Sequence, residues 1–265
     1  MKPSILVTGA YGGMGKATVK ALRERGFYVF ALDKRVGERE EDVMPIEADI
    51  TDSESVSQAF KLVSGMTENL HAIIHFAGIY TLDSLVEVSD GDFERAFKIN
   101  LGGAFLVNKT FLPLLKENSR IVITTSELAA LDPLPFTGIY AVTKSALDKY
   151  AYSLRMELQL KEIKVSVLRA GAVNTGMLGV STDALDRFCE KTELYTCNAE
   201  RFKQIVESVE ARSVEPSKIA KRVIKILGKR NPRFAYSINR NPLLLLLGAL
   251  PKGLQFFAIR QVLKK

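Results

Sequence analysis

The stretch SILVTGAYGGMGKA, residues 4–17, combines an apolar strand pattern, a glycine-rich turn and the start of a helix. Gly9, Gly13 and Gly15 allow the backbone to turn sharply and to approach a diphosphate, whose charge the free N–H groups of a helix start bind. Asp33 ends the next strand, about 20 residues on, where the ribose hydroxyls of a dinucleotide are expected. The stretch therefore predicts a dinucleotide site rather than an ordinary turn.

Strand-like runs alternate with helical patterns through the first two thirds of the chain. Because these strands are apolar on both faces, the alternation predicts a parallel sheet covered by helices on each side, an α/β doubly wound Rossmann fold. We expect one catalytic domain over residues 1–240 of the 265. The predicted strands are 4–8, 27–32, 43–48, 70–76, 120–125, 164–170 and 233–238, and the predicted helices end near 25, 63, 116, 160 and 227.

Two segments depart from this alternation. Residues 176–215 have the pattern of one or two amphipathic helices where α/β proteins open their ligand crevice, which predicts a substrate lid or, equally, a pair of surface helices. The apolar positions of this lid are Met177, Leu178, Leu185, Phe188, Leu194, Tyr195 and Phe202. The tail, residues 241–265, mixes apolar runs with basic residues, which is typical of a membrane-interface segment and equally of one that packs over the lid or a partner subunit. Either role favours a lipophilic substrate.

The composition argues against several classes of protein. The net charge of +7 is spread along the chain until the tail, which does not favour a nucleic-acid partner. The apolar run before Gly9 is too short for a signal peptide, and no run reaches the length of about 18 apolar residues that spans a bilayer. Cys189 and Cys197 lack metal-ligand spacing with histidines, so we expect no metal and two free thiols in a cytoplasmic protein, with membrane association left open by the tail.

Residues 140–144 read YAVTK and place a tyrosine and a lysine on one face of a helix. A neighbouring cation stabilises a phenolate and lowers the pKa of a phenol from its ordinary value of about 10. The pair is a candidate acid–base device, although the same spacing also arises by chance on many helices.

Five motifs in this order resemble those of the short-chain dehydrogenase/reductase family. TGAYGGMG fits the pattern TGxxxGxG and YAVTK fits YxxxK, over a resemblance that covers about residues 4–240. Asn100 in KINLGGAF, Ser126 in IVITTSEL and the segment AGAVNT at 170–175 complete the set.

This resemblance implies roles for particular residues. Tyr140 would be the general acid or base, and Lys144 would lower its pKa and hold the nicotinamide ribose. Ser126 would polarise the substrate oxygen, and Asn100 would help to order a proton relay. The implied cofactor contacts are Thr8, Gly9, Tyr11, Gly13, Met14, Gly15, Asp33, Asp49, Ile50, Ala77, Gly78, Asn100, Tyr140, Lys144, Gly171, Val173 and Thr175.

Three positions depart from the family pattern. The family's bracing asparagine after the fourth strand is here His75, which we expect to be structural rather than catalytic. The spacing from Ser126 to Tyr140 is one residue longer than usual and puts Glu127 at the standard offset. We favour Ser126, with Thr125 as the alternative, because the reacting oxygen needs a hydrogen-bond donor. Ala170 replaces a proline, which removes a rigid φ but no chemical group.

The choice of nucleotide depends on the residues that follow the second strand. The Asp33 carboxylate accepts hydrogen bonds from a 2′-hydroxyl and repels a 2′-phosphate, so NAD is expected. Lys34 and Arg35 would instead hold a phosphate if Asp33 turned away, which leaves NADP as the alternative. Asp49 is expected either to bind the adenine amino group or to cap the helix that starts near Asp52.

These observations together predict an NAD(P)-dependent oxidoreductase that interconverts a secondary alcohol and a ketone, or an alcohol and an aldehyde. The expected substrate is an apolar hydroxy or keto compound such as a steroid or another lipid. The alternatives are a sugar epimerase, whose glycine pattern is missing, and a non-catalytic dinucleotide-binding redox sensor or scaffold, against which the complete catalytic set argues. The resemblance also implies a homodimer or homotetramer formed through the helices near 90–116 and 137–160.

Overall fold

Seven runs rich in branched apolar residues form one parallel sheet in the computed structural model, which describes residues 2–210 and 212–264 and leaves undescribed the side chains of 176–183, 209 and 210. The strands are β1 (Ser4–Thr8), β2 (Tyr28–Asp33), β3 (Val43–Glu47), β4 (Leu70–His75), β5 (Leu115–Ser126), β6 (Lys164–Ala170) and β7 (Ala235–Ile238). Their order is β3-β2-β1-β4-β5-β6-β7. Strands β2 and β3 lie on one side of β1, and the chain then crosses over to place β4 to β7 on the other side. Ligands of such sheets bind at the carboxyl ends of the strands beside this reversal. The predicted doubly wound Rossmann fold, in a single domain, is confirmed.

Helices cover both faces of this sheet. They are α1 (Gly13–Arg23), α2 (Ser53–Ser64), α3 (Asp90–Phe97), α4 (Gly103–Phe111), α5 (Gly138–Leu158), α6 (Gly176–Lys191), α7 (Thr196–Glu210), α8 (Pro216–Leu227), α9 (Pro242–Ala249) and α10 (Lys252–Leu263). Successive residues of a strand point to opposite faces. Ile5 and Val7 of β1 therefore pack in the layer formed by α1 and α8, whereas Leu6 packs in the layer formed by α2, α4 and α5.

The region between β4 and β5 differs from the prediction of one long helix that ends near residue 116. The helix ends at Phe111, because Pro113 lacks the N–H that would continue it, and β5 begins at Leu115 rather than at 120. A π-helical turn at Lys98–Gly102 separates α3 from α4. Single π turns of this kind are frequent at functional sites, and this one contains Asn100.

The lid helices α6 and α7 have a small apolar core of their own. Phe136 from the loop before α5 meets Phe188 of α6 and Phe202 of α7, with ring centroids 4.6 and 5.4 Å apart. The side chains of Met177 and Leu178, two of the predicted lid positions, lie outside the described residues. The lid segment is thus a helical layer packed on the rest of the domain.

The tail forms α9 and α10, and one side of it packs on the protein. The Nδ2 atom of Asn198 in α7 donates to the backbone oxygen of Leu263 at 2.6 Å, and Lys252 forms an ion pair with Asp132. Among the described helices, none has both the length and the apolar character needed to cross a bilayer.

Candidate active site

The glycine-rich turn between β1 and α1 requires glycine for steric reasons. Gly9 has φ +66°, and a β-carbon there would lie 2.5 Å from the backbone nitrogen of Ala77. A β-carbon on Gly15 would lie 2.0 Å from the backbone oxygen of Gly9. Gly12 caps α1 without a side-chain hydrogen bond, so the first amide groups of the helix keep their capacity to bind an anion.

This turn forms one wall of a cleft of about 970 Å³. The cleft is large enough for a dinucleotide, and its polar backbone at the start of α1 fits the diphosphate of such a ligand. Seven of the predicted cofactor contacts line it: Gly9, Tyr11, Gly13, Met14, Gly15, Gly78 and Thr175. Two others lie in the interior behind it, since Ile50 is buried in the core and the Thr8 hydroxyl lies 3.4 Å from Nδ1 of His75.

Asp33 faces the glycine turn. Its Oδ2 atom accepts a hydrogen bond from the backbone N–H of Tyr11 at 2.9 Å, and its Oδ1 atom accepts one from the N–H of Lys34 at 2.8 Å. The ammonium of Lys34 pairs with Asp49 at 2.8 Å. The capping role that was one alternative for Asp49 is wrong, because Asp52 caps α2 by accepting from the N–H of Glu54.

The predicted tyrosine–lysine pair lies near the start of α5. Helical spacing brings Nζ of Lys144 to 5.8 Å from the centroid of the Tyr140 ring. The lysine is 6% exposed, and its Nζ atom lies 3.5 Å from the backbone oxygen of Thr124. The rings of Tyr140 and Tyr80 pack in a T-shaped arrangement, with centroids 4.7 Å apart.

Burial shifts the pKa values of both members of the pair. Burial raises the pKa of Tyr140 to about 12, while a hydrogen bond with Ser126 opposes the rise and the charge of Glu127 adds to it. Burial also lowers the pKa of Lys144 to about 8. Both shifts have one cause, because the same poorly solvated surroundings disfavour the charged form of each group. Tyr140 is consequently a neutral phenol at pH 7, and the proton on its oxygen is available for donation. The lowering of the Tyr140 pKa by the Lys144 cation stays a prediction.

The hydroxyl beside Tyr140 belongs to Ser126, the last residue of β5. Ser126 is 5% exposed, hydrogen-bonds the phenol and accepts from the N–H of Leu128 at 3.2 Å. The alternative, Thr125, points to the opposite side of the strand and donates to Asp148 at 3.3 Å. Of the two hydroxyls, Ser126 is the one placed next to the phenol.

Asn100 ties the loop after β4 to α5. Its Oδ1 atom accepts from the N–H of Ile79 at 2.8 Å, and its Nδ2 atom donates to the Ile79 oxygen at 3.1 Å and to the Thr143 hydroxyl at 3.0 Å. A β-carbon on Gly78 would lie 3.0 Å from this Oδ1 atom and 3.2 Å from Nζ of Lys144. The side chains of Asn100 and Lys144 therefore both reach the loop at Gly78.

His75 is part of a buried hydrogen-bond network, as expected for a structural residue. Its Nε2 atom lies 2.9 Å from Oδ1 of Asn108, and Nδ2 of Asn108 donates to the Tyr150 hydroxyl at 3.2 Å. Burial lowers the pKa of His75 to about 4, so the ring is neutral at pH 7. The imidazole connects the sheet to α4 and α5.

The sequence model of the family described as short chain dehydrogenase matches residues 3–186, which include the glycine turn, Ser126 and the Tyr140–Lys144 pair. The chain belongs to the short-chain dehydrogenase family. Its members are oxidoreductases, and the expectation from the five motifs is confirmed at this level.

Relatives of this short-chain dehydrogenase act on different substrates. The chain is 27% identical over 267 residues to a 3-ketodihydrosphingosine reductase of Bacteroides thetaiotaomicron, which covers 98% of each chain. It is 31% identical over 198 residues to estradiol 17-beta-dehydrogenase 2 of Mus musculus, which covers 69% of this chain and 51% of the mouse protein. A solved structure of 3-ketoacyl-(acyl-carrier-protein) reductase from Brucella melitensis, complexed with NADH, has the same fold, with a TM-score of 0.73. The two sequences are 19% identical, and the match covers 89% of this chain and 96% of the Brucella chain.

In this short-chain dehydrogenase a second cavity, of about 220 Å³, adjoins the phenol. Its walls combine the hydroxyls of Ser126 and Tyr140 with apolar side chains of the lid and the tail. The lid and tail residues are Phe202, Ile205, Val206 and Leu244, and the predicted contacts Gly171, Val173 and Thr175 also line the cavity. We call this the substrate cavity.

Two residues that line the substrate cavity were not predicted from the sequence to do so. Tyr80, the second residue after Gly78, lines both cavities and packs on Tyr140. Glu127 lines the substrate cavity, and its Oε2 atom accepts from the N–H of Asn241 in the tail at 2.7 Å. The position of Glu127 directly after a strand was a sequence signal for a place in the site. No sequence signal indicated its contact with Asn241 of the tail, which lies more than a hundred residues further along the chain.

Proposed function

We propose that this dehydrogenase reduces a ketone on an apolar, lipid-like substrate with NADH, and oxidises the corresponding secondary alcohol in the reverse direction. The observation that carries the proposal is the Ser126–Tyr140 hydrogen bond at the wall of a cavity that is otherwise largely apolar. A ketone oxygen placed at the two hydroxyls has a proton donor and a second hydrogen bond as charge develops on it.

In the reducing direction the acid would be Tyr140. With its pKa near 12, Tyr140 carries the proton that the substrate oxygen must gain. Ser126 orients that oxygen and stabilises its charge. Lys144, charged below its pKa of about 8, stabilises the phenolate left behind until a proton returns from solvent.

A bound nicotinamide dinucleotide would supply the hydride. The amide groups at the start of α1 would bind its diphosphate, because the turn has no side chain in the way there. Asp33 would accept from the ribose hydroxyls. Two observations support NAD over NADP: Asp33 is fixed toward the turn by the Tyr11 N–H, and Lys34 is paired with Asp49 instead of being free for a phosphate.

The substrate class rests on the apolar walls of the cavity. Phe202 and Val206 of the lid and Leu244 of the tail give no hydrogen bonds to a sugar or a small hydroxy acid, but they exclude water around a hydrocarbon. The relatives from Bacteroides and mouse carry names that state a keto sphingoid base and a steroid. Both names are consistent with a lipid.

We also propose that the tail contacts a membrane surface. Leu246 and Phe257 are 64% and 61% exposed on the side of the tail that faces away from the protein, and the tail carries basic residues such as Arg260 among its apolar ones. Anionic headgroups complement this charge while the apolar side chains enter the interface. A substrate dissolved in the bilayer would then enter beside Leu244.

A homodimer or homotetramer is the third part of the proposal. Phe105 of α4 and Tyr152 and Met156 of α5 are each about half exposed, at 49%, 53% and 49%. Large apolar side chains that share one helical layer are typical of an interface between subunits.

The test of the catalytic proposal is NADH consumption with a panel of long-chain ketones and ketosteroids. Tyr140→Phe should lower kcat by at least about a thousandfold while NADH binding is retained, because only the proton donor is removed. Tyr152→Phe, on the exposed side of the same helix, is the matched control. Tight NADH binding with no turnover on any ketone would favour the non-catalytic sensor instead.

A further inference from the structure

Glu127 places a carboxylate inside the substrate cavity. It follows Ser126 directly in the chain, and both residues line the cavity. Its Oε2 atom accepts from the backbone N–H of Asn241 at 2.7 Å, and a β-carbon on Gly171 would lie 3.0 Å from its Oε1 atom. The side chain is therefore held beside the reacting hydroxyls rather than pointing into solvent.

Within the part of the chain that the structure describes, this carboxylate has no ion-pair partner. Among the described residues, no lysine or arginine nitrogen lies within 4.0 Å of it, and the charge that stabilises it belongs to the exposed Arg240. Burial raises the pKa of Glu127, and its charge acts on Tyr140. A partly buried carboxylate with one backbone hydrogen bond is costly unless a ligand completes its interactions.

Among the described residues that line the substrate cavity, Glu127 is the only aspartate, glutamate, lysine, arginine or histidine. The remaining polar groups of the wall are hydroxyls, amides and backbone atoms. A negative charge of this kind repels carboxylates and phosphates and attracts a cation. The Glu127 carboxylate therefore favours substrates that carry a positive charge next to the reacting carbonyl.

Leucine side chains connect the substrate cavity to a neighbouring cavity. A third cavity, of about 280 Å³, lies beneath α9 and α10 and shares Leu128, Leu134 and Leu244 with the substrate cavity. Hydrocarbon placed against these leucines would extend from the substrate cavity into the third cavity, whose far wall also carries the Asp132–Lys252 ion pair. The two cavities together fit a chain with a polar head at the catalytic end and an alkyl body beneath the tail.

We propose that Glu127 binds an ammonium group on the carbon next to the reacting carbonyl, so that the preferred substrate is a long-chain amino ketone. This inference rests on the proposed ketone reduction and names the class of ketone. Glu127 acts as a specificity-determining residue: it holds the cationic head while Ser126 and Tyr140 hold the oxygen. A charge-assisted hydrogen bond of this type contributes more than one between neutral groups.

The test uses three long-chain ketones that differ only at the carbon next to the carbonyl, which bears an ammonium, a hydroxyl or a hydrogen. The wild-type protein should prefer the ammonium compound over the unsubstituted ketone by about 30-fold in kcat/KM. Glu127→Gln keeps an acceptor for the Asn241 N–H and should abolish this preference by slowing only the ammonium compound. Glu117→Gln makes the same change at the opposite, exposed end of β5 and should leave the preference intact.

A binding measurement separates this inference from the proposed function. Calorimetry with a long-chain primary amine and the matching alcohol should give tighter binding of the amine to wild type, and equal binding of both to Glu127→Gln. If all three ketones are reduced equally well, or if Glu127→Gln slows all three alike, the inference is overturned and ketone reduction stands. If no ketone is turned over while the amine preference persists, the proposed reaction is overturned and the cation site remains.

Discussion

Asp33, at the end of β2, accepts a hydrogen bond from the backbone N–H of Tyr11 at 2.9 Å. The contact joins the second strand to the glycine turn after the first, across 22 residues of chain. One carboxylate thereby holds the turn and presents negative charge where we propose that the ribose binds. In the proposed function, the same side chain therefore sets both the nucleotide preference and the geometry of the turn.

Asp33→Asn should weaken the discrimination against NADPH. The amide keeps an oxygen that can accept from Tyr11 but removes the charge that repels a 2′-phosphate, so the ratio of kcat/KM for NADPH to that for NADH should rise about tenfold or more. Steady-state kinetics with both nucleotides measure the ratio. Asp49→Asn should shift it in the same direction by a smaller factor, because it releases Lys34. An unchanged ratio in Asp33→Asn would remove the basis for the NAD assignment.

Lys144→Met should abolish turnover and raise the stability of the fold at pH 7. Burial lowers the pKa of Lys144 from 10.5 to about 8, so its charge costs on the order of 3 kcal/mol below pH 8. Between pH 8 and 10.5 the unfolded lysine holds a proton that the folded one has lost, and the free energy of unfolding of the wild type rises across this window. Urea denaturation at pH 7 and pH 10 checks both statements. A variant less stable than wild type at pH 7 would contradict the cost assigned to burial.

His75→Asn should remove a loss of stability in acid. The folded pKa of His75 is about 4 against an ordinary value of 6.5. As the pH falls from 6.5 to 4, the unfolded imidazole gains a proton that the folded one refuses, and the wild type loses about 3 kcal/mol that a non-titrating asparagine does not lose. Denaturation at pH 7 and pH 4.5 measures the difference. His71→Asn is the comparison, at a half-buried histidine whose pKa burial lowers in the same direction. Parallel acid sensitivity in wild type and His75→Asn would refute it.

Leu246→Ser combined with Phe257→Ser should reduce binding to vesicles that contain anionic phospholipid by at least about tenfold, because two apolar side chains no longer enter the interface. Co-sedimentation measures the bound fraction, which should also fall as salt is added. Leu160→Ser, at a position that is 84% exposed outside the tail, is the control. If binding is unaffected and deletion of 241–265 causes aggregation, the tail serves packing alone.

Phe105→Asp should dissociate the proposed homo-oligomer, because a charge at an apolar contact between subunits leaves an unpaired carboxylate buried. Light scattering after size exclusion gives the mass of the particle. Leu194→Asp, on the exposed side of the lid, should leave the mass unchanged. A wild type that is monomeric at micromolar concentration would rule out this interface.

The structure also shows where local pattern stops being informative. Thr125 and Ser126 are neighbours in the sequence, so their side chains lie on opposite faces of β5. Only the packing around the strand decides that the Thr125 hydroxyl contacts Asp148 and the Ser126 hydroxyl contacts Tyr140. The end of the helix near 116 was missed because the stop at Pro113 and the early start of β5 both lie inside one apolar run. The pairing of Lys34 with Asp49 joins two loops that periodicity treats independently.

The sequence by itself determined the doubly wound sheet, the glycine turn and the tyrosine–lysine spacing on α5, since each depends on residues close together in the chain and on side-chain periodicity. Tertiary structure alone decided the directions of the Tyr140 and Lys144 pKa shifts and the surroundings of Glu127. The charge of a buried group depends on how much water its neighbours exclude, and those neighbours come from Tyr80, the lid and the tail, which meet only after the chain has folded.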